Sequence, residues 1–564
     1  MRHLICKSRV LFSGRAAIIH LTILTLLTSG QAAASAEQLH WQKDTPYHIT
    51  ILHTNDHHGR FWPNAIGEYG LPAQKTLVDE IRQEVAAKGG ELLLLSGGDI
   101  NTGVPESDTL NAEPDFKGMN IIGYDAMAVG NHEFDHQLPT IRKQQSWVDF
   151  PFLSANIYFT DKNERVFSPY KIFDKQGIKI AVLGLTTNDT IFLASPKNTN
   201  GIEFRETLPE AKKIIAEIKL AENPDIIIAV THMGHYVNGE HGSMAPGDVS
   251  LARGLASGDL DMIVGGHSQN PVCMAGTNER INDYIPGTPC APDQQNGTWI
   301  VQAHEWGKYL GRADFVFLNG KLTLENYQLI PINLKKEVDN GNDTKRLEFY
   351  TQEIKPNLEM QAFLTPYQEK GQQQLLTTVG QLQGRLDGER DKVRYQQTNL
   401  GQLLLSAFIE KTDADAGIMS GGMIRDSLLE GNISYRDILK VEPFANNVVY
   451  VELRGVDLLA YLTAAVNKKP GAGSYAHFRN LTLTLNGDKI VAVKVKGKPL
   501  ELNKKYRIAT LDFLAAGGDG YPIINKLSSF VDTGYRDADV VREYVKNHSP
   551  INANDYKPEQ FISK

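Results

Sequence analysis

The sequence predicts an exported mixed α/β protein with two domains, and three observations support this prediction. Hydrophobic strands alternate with helical stretches through the first half of the chain, as they do in βα units. Five of those strands run directly into polar residues that can serve as ligands. The composition changes after residue 378, where no second set of such strand ends follows. A chain of 564 residues is also long enough for at least two domains.

Residues 1–36 are expected to be a secretory signal peptide and not part of the fold. Basic residues precede an apolar segment, 16–28, which is too short to span a bilayer comfortably. The sequence Ala34-Ser35-Ala36 matches a small-x-small cleavage site. A membrane anchor is the less favoured alternative. No later segment approaches transmembrane length without charges, so we expect no membrane contact after cleavage.

Charge and cysteine usage narrow the classes of function. Removal of the signal peptide takes four of the 58 basic residues and none of the 66 acidic ones, which leaves a formal charge of −12 (54 − 66). This charge argues against nucleic-acid binding through a basic surface. Cys6 leaves with the signal peptide, so Cys273 and Cys290 are expected to form a disulfide in an oxidising compartment. Two free thiols are the alternative, and a metal–thiolate site is disfavoured with only two cysteines.

The first strand begins at Ile49 and continues as ITILHTNDHHG. Its alternating β-branched and apolar residues are typical of a buried strand. It ends in Asp56 and His58, which places a carboxylate and an imidazole at the carboxyl edge, where open α/β sheets place their sites. Such donors without thiolates suit Zn²⁺, Mn²⁺ or a similar divalent ion. For this stretch alone, a polar surface turn explains the pattern equally well.

Four further strands end in the same kind of residue. The spacing of apolar residues predicts a helix over 74–88, and a buried strand over 91–96 follows it. The four endings are GGD with Asp99, GNHEFD with Asn131, His132 and Asp135, TH with His232, and GGHSQ with His267 and Gln269. One such ending is commonly a turn, but five at the same structural place are hard to explain as turns. His57 is expected to point away from the site, and His235 and His241 are given no role.

The motifs HTNDxH, GGD, GNHExD, THMGH and GGHSQ, in this order, resemble those of the calcineurin-like metallophosphoesterases. More narrowly, they resemble the bacterial periplasmic 5′-nucleotidases and UDP-sugar hydrolases, over essentially the whole chain after the signal peptide. The resemblance implies an N-terminal four-layer sandwich with a dimetal site and a smaller C-terminal α/β nucleotide-binding domain. The expected boundaries are 37–354 for the catalytic domain, 355–377 for a linker helix and 378–564 for the C-terminal domain.

The resemblance also implies a set of ligands for two divalent ions, with Zn, Mn or Co expected. The implied ligands are the bridging Asp99, then Asp56, His58 and Gln269 for one ion, and Asn131, His232 and His267 for the other. A metal-bound hydroxide would attack phosphorus. His132, oriented by Asp135, would stabilise the transition state or protonate the leaving oxygen, with Asn131 beside them.

The C-terminal half supplies the implied nucleotide contacts, which are Arg390, Arg394, Arg425, Phe444, Asn446, Phe513 and Asp519. Arginines bind phosphate oxygens in a bidentate way, two phenylalanines can enclose a base, and an aspartate can accept from ribose hydroxyls. Taken singly, each residue could belong to a solvated face or to the core. Two positions depart from the family pattern: Met423 replaces a small residue, and Ala445 stands where glycine is common.

The expected function is hydrolysis of nucleoside 5′-monophosphates to nucleoside and phosphate by a periplasmic monomer. Nucleoside-diphosphate sugars such as UDP-glucose are a second expected substrate class, which would give UMP and a sugar phosphate. One alternative is a 2′,3′-cyclic-nucleotide phosphodiesterase with the same ligands, although the arginines and phenylalanines favour 5′-phosphates. Another is an exported nucleotide-binding protein without turnover, which the complete ligand set with His132 and Asp135 argues against.

Overall fold

Two six-stranded sheets form the centre of the first half of the chain. The computed structural model describes residues 41–194, 196–239, 244–339, 345–558 and 562–563, so the predicted signal peptide lies outside the described residues. In spatial order, the strands of the first sheet are Lys321–Pro331, Tyr309–Leu318, Tyr47–Thr54, Glu91–Ser96, Ala126–Ala128 and Phe152–Leu153. The strands of the second sheet are Asp293–Gln295, Thr298–Val301, Met262–Val264, Ile226–His232, Ile178–Thr186 and Tyr170–Lys175.

The two sheets share a hydrophobic core because alternate side chains of a strand point to opposite faces. In the strand Ile178–Thr186, Ile180 belongs to the core between the sheets, whereas Ala181 packs with the helix Thr207–Glu222 on the outer face. The helix Leu71–Ala87 covers the first sheet in the same way. The layers are therefore helix, sheet, sheet and helix, which confirms the predicted four-layer sandwich.

The helix predicted in this half lies close to its predicted position. The helix predicted over 74–88 is observed as Leu71–Ala87, with Pro72 in its first turn, where the missing N–H costs no hydrogen bond. The other helices are Pro105–Asp108, Glu113–Ile122, Leu138–Gln145, Thr190–Leu193, Pro196–Thr199, Thr207–Glu222 and Asp248–Gly254, with a 3₁₀ turn at His132–Asp135. Short strand pairs join Ile157–Phe159 to Ile202–Phe204, Met274–Gly276 to Glu279–Arg280, and Lys335–Asp339 to Lys345–Phe349.

Parallel pairing brings the predicted polar strand ends to one edge of the sheets. The strand Tyr47–Thr54 pairs in parallel with Glu91–Ser96, with Thr54 level with Ser96. In the second sheet, Ile226–His232 is parallel to Met262–Val264, with Val230 level with Val264. The loops after these strands therefore leave the sandwich on the same side, as expected of an α/β site.

The helix Leu358–Leu375 follows the first half, and the Asn357 side chain caps it by accepting the N–H of Met360 at 2.9 Å. A separate hydrophobic core then spans residues 382–556. No helix in the described part of the chain is long and apolar enough to cross a membrane. The boundaries expected at 354 and 377 stay a prediction.

The second core is built on a five-stranded sheet with two smaller sheets beside it. In spatial order its strands are Ala476–Arg479, Ala416–Ser420, Lys505–Leu511, Asn447–Arg454 and Val531–Arg536. One smaller sheet contains the strands Gly431–Ser434, Thr378–Gln383 and Ile551–Asn552. The other contains the strands Lys498–Pro499, Lys489–Val495, Leu481–Asn486 and Ile562–Ser563. The helices are Arg390–Val393, Asn399–Thr412, Tyr435–Val441, Gly455–Val466, Asp512–Ala515 and Asp537–His548, with 3₁₀ turns at Gly421–Met423, Gly518–Gly520 and Ala553–Asp555.

Cys273 and Cys290 form a disulfide, as predicted, across a sequence separation of 17 residues. Replacing both cysteines by serine is expected to lower the free energy of unfolding by about 3 kcal/mol, because the bond restricts the unfolded chain over a loop of this length. Urea denaturation of the variant and of the parent protein measures the difference. Two freely alkylated cysteines in mass spectra of the native protein would contradict the bond itself.

Candidate active site

The predicted ligands lie together at the shared edge of the two sheets, and Asp99 is at the centre of one group. Its Oδ2 atom lies 2.9 Å from Nε2 of His232 and 3.9 Å from Nε2 of His58. Nε2 of His58 is in turn 3.8 Å from Oδ1 of Asp56 and 2.8 Å from Nε2 of Gln269. Asp56, His58, Asp99 and His232 are each at most 2% exposed, so this group is held inside the protein.

Asn131 joins the rest of the predicted set. Its Oδ1 atom lies 2.7 Å from Nδ1 of His267 and 3.1 Å from Nε2 of His232. The backbone N–H of His267 donates to the Asp56 carboxylate, at 3.2 and 3.0 Å from its two oxygens. The structure therefore brings together all seven residues that the resemblance implied as ligands.

The hydrogen bonds of two histidines fix which ring nitrogen faces Asp99. Nδ1 of His58 lies 3.1 and 2.8 Å from the backbone oxygens of Asn101 and Thr102, and Nδ1 of His232 lies 2.7 Å from that of Gly97. A ring nitrogen that faces a carbonyl carries the proton, so Nε2 of each neutral ring presents a lone pair. Oδ2 of Asp99 is buried and accepts no hydrogen bond of normal geometry from the described residues. The lone pairs of these two ring nitrogens and of Oδ2 of Asp99 face one another, an arrangement that suits a cation bound between them.

The pKa values of the cluster show which groups hold protons, and so balance the charge of the carboxylates, when no cation is bound. Burial lowers the pKa of His232, but the Asp99 carboxylate beside it outweighs burial and raises that pKa to about 10. Burial would raise the pKa of Asp99, yet His232 and His132 hold it well below its usual range. Burial raises the pKa of Asp56 to about 7. Metal binding therefore has to displace a proton from His232, and acid opposes it.

Five of the seven candidate ligands adopt left-handed backbone conformations. The φ angles are 51° for Asp56, 51° for His58, 56° for Asp99, 78° for His267 and 55° for Gln269. Such conformations disfavour residues with a Cβ atom, and they cluster at functional sites where the surrounding structure imposes them. Gly130 provides part of the required space, because a Cβ atom there would lie 2.1 Å from Oδ1 of Asp99.

Glu133 ties the ligand loops together, and sequence reasoning missed it. Its fully buried carboxylate accepts the N–H groups of Gly130 at 2.6 Å, Ile100 at 2.8 Å and Asp99 at 3.2 Å. The loop after the second strand and the loop that carries Asn131 are therefore fixed relative to each other. The available signal was an acidic residue inside the GNHEFD motif, with ligand candidates on both sides.

His132 and Asp135 form a hydrogen-bonded pair at the edge of the cluster. Nδ1 of His132 lies 2.6 Å from Oδ2 of Asp135, which also accepts the hydroxyl of Thr102 at 2.6 Å. Burial lowers the pKa of His132, but Asp135 and Asp99 together raise it above its ordinary value. The ring of Phe444 stacks on that of His132, with centroids 5.8 Å apart and planes 16° from parallel. The second half of the chain thus contacts the cluster directly.

A cleft of about 800 Å³ joins the ligand cluster to the C-terminal half. Its first wall includes Asp99, Asn131, His132, His267 and Gln269. The predicted nucleotide contacts all line it as well, namely Arg390, Arg394, Arg425, Phe444, Asn446, Phe513 and Asp519. His235, for which the sequence indicates no role, also lines the cleft, and its Nε2 atom lies 2.9 Å from Oδ2 of Asp293.

Three guanidinium groups crowd one side of this cleft. Arg390 donates to Oε1 of Gln269 at 2.6 Å, so it reaches the ligand cluster itself. Burial, with Arg390 and Arg425 nearby, holds the pKa of Arg394 well below its usual range. Burial and the charge of Arg390 lower the pKa of Arg425 to about 10. Mutual repulsion of this kind favours an anion that accepts hydrogen bonds from several guanidinium groups, as phosphate does.

The two departures from the family pattern both contact the loop around Asn446. Ala445 has a φ of 54°, a conformation that glycine adopts without steric cost, which explains why glycine is common there. Met423 is buried, and its Sδ atom accepts from Nδ2 of Asn446 at 3.6 Å. Both substitutions therefore bear on the wall of the cleft next to Phe444.

An ion pair with one buried partner crosses between the two halves, next to residues that line the cleft. Nε of Arg436 lies 2.7 Å from Oε1 of Glu106, which is fully buried. Gly371 of the helix Leu358–Leu375 packs against the same residue, because a Cβ atom there would lie 2.8 Å from Cβ of Glu106. The pair links residues far apart in sequence, so no local pattern could have predicted it.

Comparisons with known proteins agree with this geometry. The calcineurin-like phosphoesterase family matches residues 49–271, and the 5′-nucleotidase C-terminal domain matches residues 378–526. The chain is 57% identical to protein UshA of Yersinia enterocolitica over 541 residues, which cover 96% of this chain and 98% of that protein. It is 54% identical to a 5′-nucleotidase of Vibrio cholerae over 530 residues, with coverage of 94% and 95%.

A solved structure shows the same fold over most of the chain. The 5′-nucleotidase precursor of Thermus thermophilus aligns with a TM-score of 0.71 at 26% identity, over 89% of this chain and 96% of that one. The alignment covers both the sandwich and the C-terminal half. The chain therefore belongs to the calcineurin-like phosphoesterase family, as a metal-dependent nucleotide phosphohydrolase with a 5′-nucleotidase C-terminal domain.

Proposed function

We propose that this protein hydrolyses nucleoside 5′-monophosphates and nucleoside-diphosphate sugars after export to the periplasm. The observation that carries the proposal is the single cleft, lined by the ligand cluster on one side and by three arginines and two phenylalanines on the other. A nucleotide placed there would have its phosphate at the ligand cluster and its base at Phe444 and Phe513. Export rests on the sequence of residues 1–36, and the monomeric state stays a prediction.

Members of the family use two divalent metal ions, and the donor set of this chain fits them. Asp99 would contribute to holding both ions, Asp56, His58 and Gln269 would hold one, and Asn131, His232 and His267 would hold the other. Bound ions of this kind neutralise charge at phosphorus and lower the pKa of water. Oxygen and nitrogen donors without thiolates are consistent with Zn, Mn or Co.

The remaining residues of the cleft bind, orient and move a proton. Because Nδ1 of His132 is held by Asp135, its Nε2 atom is the one that can donate a proton to the leaving oxygen. Arg390, Arg394 and Arg425 would hold phosphate oxygens, and Phe444 and Phe513 would hold the base. Asp519, fixed by the hydroxyl of Ser420 at 2.7 Å, would accept from the ribose.

Chelation and a substrate panel test the proposal. Purified protein is expected to hydrolyse AMP and UDP-glucose with higher kcat/KM than 2′,3′-cyclic AMP, because the arginines favour phosphate groups attached at the 5′ position, which both of these substrates have and the cyclic nucleotide lacks. Exhaustive chelation is expected to abolish both activities, and Zn²⁺, Mn²⁺ or Co²⁺ to restore them. Full activity after chelation would contradict the dimetal assignment, and a preference for the cyclic nucleotide would favour the alternative function. A mature N terminus that is not close to residue 37 would contradict the signal peptide.

A further inference from the structure

The loop that carries Phe444 is hydrogen-bonded to a buried carboxylate that has no role in the proposed chemistry. We define residues 443–447 as the base loop. Oδ2 of Asp537 accepts the backbone N–H of Asn446 at 3.2 Å and its side-chain amide at 3.4 Å, while the N–H of Asp537 donates to the oxygen of Asn446 at 2.9 Å. Asp537 is fully buried. It therefore fixes both the backbone and the side chain of Asn446, which lines the cleft.

A second carboxyl group, that of Glu442 immediately before the base loop, interacts with Asp537 through a side-chain hydrogen bond. Glu442 is fully buried, and neither of its side-chain oxygens has a hydrogen-bond donor among the described N–H and O–H groups. Burial, and then the adjacent Asp537, raise the pKa of Glu442 well above its usual range. Burial also raises the pKa of Asp537, to about 7. Two buried carboxyl groups in contact are stable when they share one proton, so Glu442 is held as a neutral donor to Asp537.

A third carboxylate connects the base loop to the segment that carries Phe513. Oδ1 of Asp512 accepts the N–H of Asn447 at 3.1 Å and the N–H of Phe513 at 2.9 Å. Ala445, in the middle of the loop, has the left-handed φ of 54° that a residue with a Cβ atom avoids. The loop thus holds a disfavoured conformation between two anchors, and its position determines where Phe444 stands relative to Phe513.

We propose that Glu442 and Asp537 are positioning residues for the nucleobase, because their hydrogen-bonded carboxyl pair fixes the base loop and therefore the spacing between Phe444 and Phe513. The inference rests on the proposed function in one respect, since it takes these two phenylalanines as the base site. The proposal adds that binding of the base depends on two residues that do not contact the substrate. Substrates with a base should depend on the pair, and phosphate esters without a nucleobase should not.

The test compares AMP with p-nitrophenyl phosphate, which has no nucleobase, in matched variants of the full-length exported protein. Glu442→Leu removes the hydrogen bond at similar volume and is expected to raise the KM for AMP about tenfold, as for loss of a buried bond to a charged group. Its kcat for AMP and its kcat/KM for p-nitrophenyl phosphate should stay within about twofold of the parent values. Glu442→Gln keeps a neutral donor and is expected to match the parent protein with both substrates.

Two checks of folding and a second variant accompany this test. Metal content and the melting temperature show whether each variant is folded. If Glu442→Leu does not fold, Asp537→Asn, which keeps the shape of the side chain, should raise the KM for AMP selectively. An unchanged KM for AMP in folded Glu442→Leu, or an equal loss with both substrates, would overturn the inference. A parent protein without preference for AMP over p-nitrophenyl phosphate would overturn the proposed function as well, and that result does not depend on any variant.

Discussion

Replacing Asp99 by alanine is expected to remove both metal ions and to lower kcat/KM for AMP by about 10⁴-fold, the equivalent of roughly 5 kcal/mol. The reason is geometric. Oδ2 of Asp99 faces Nε2 of His232 at 2.9 Å and Nε2 of His58 at 3.9 Å, so it serves both proposed ion sites. Without it, one site keeps Asp56 as its only carboxylate and the other keeps neutral donors alone, so each has less charge to hold an ion. Metal analysis by mass spectrometry and steady-state kinetics measure the two effects together.

A matched control for Asp99→Ala is Asp519→Asn. Asp519 is a buried carboxylate that lines the same cleft but lies outside the ligand cluster. This variant should keep two ions and show mainly a raised KM for AMP, because the proposed ribose contact is lost. If Asp99→Ala retained two ions per chain, the bridging role would be wrong, whatever its activity.

Replacing His132 by alanine is expected to lower kcat by about 10³-fold while the protein keeps two ions. Nδ1 of His132 is held at 2.6 Å by Asp135, which leaves Nε2 as the proton donor. The ligand atoms of His132, His58 and Asp99 nevertheless lie within 4.8 Å of one another, so the structure also allows His132 a place beside an ion. Metal content is therefore the decisive measurement.

The control for His132→Ala is Asp135→Asn, which leaves the imidazole in place but removes the charge that orients it. We expect a smaller loss of kcat than in His132→Ala, with the metal content unchanged. A His132→Ala protein that had lost one ion would move His132 into the ligand set and remove the argument for its role as an acid.

Much of the fold and the position of the site could be predicted from the sequence because the signals are local. Each buried strand has a recognisable apolar run, and each of the five polar endings follows such a run directly. Parallel pairing then brings the endings to one edge whatever the details of packing. The helix predicted over 74–88 is observed as Leu71–Ala87 for the same reason, since its apolar spacing is a property of one short segment.

The parts that could not be predicted depend on pairs of residues far apart in the chain. Glu106 meets Arg436, and Glu442 meets Asp537, only after both halves have folded. A single acidic residue in sequence does not reveal whether it will be buried, or what will lie against it. The left-handed backbone conformation at Asp56, His58 and Asp99 could not be predicted from the sequence either, because these residue types do not indicate the conformation that tertiary contacts impose.

The left-handed ligand residues have a consequence for how long the protein survives in the cell. A residue with a Cβ atom in this conformation costs about 1–2 kcal/mol, so the site reduces the stability of the chain until an ion binds. Ions that bind only the native state raise its stability, by about 4 kcal/mol at a thousandfold excess over Kd. Because proteases remove unfolded chains continuously, changes of about 1–2 kcal/mol alter abundance several-fold. Scarcity of divalent ions would therefore deprive the cell of the enzyme itself, and not only of its turnover.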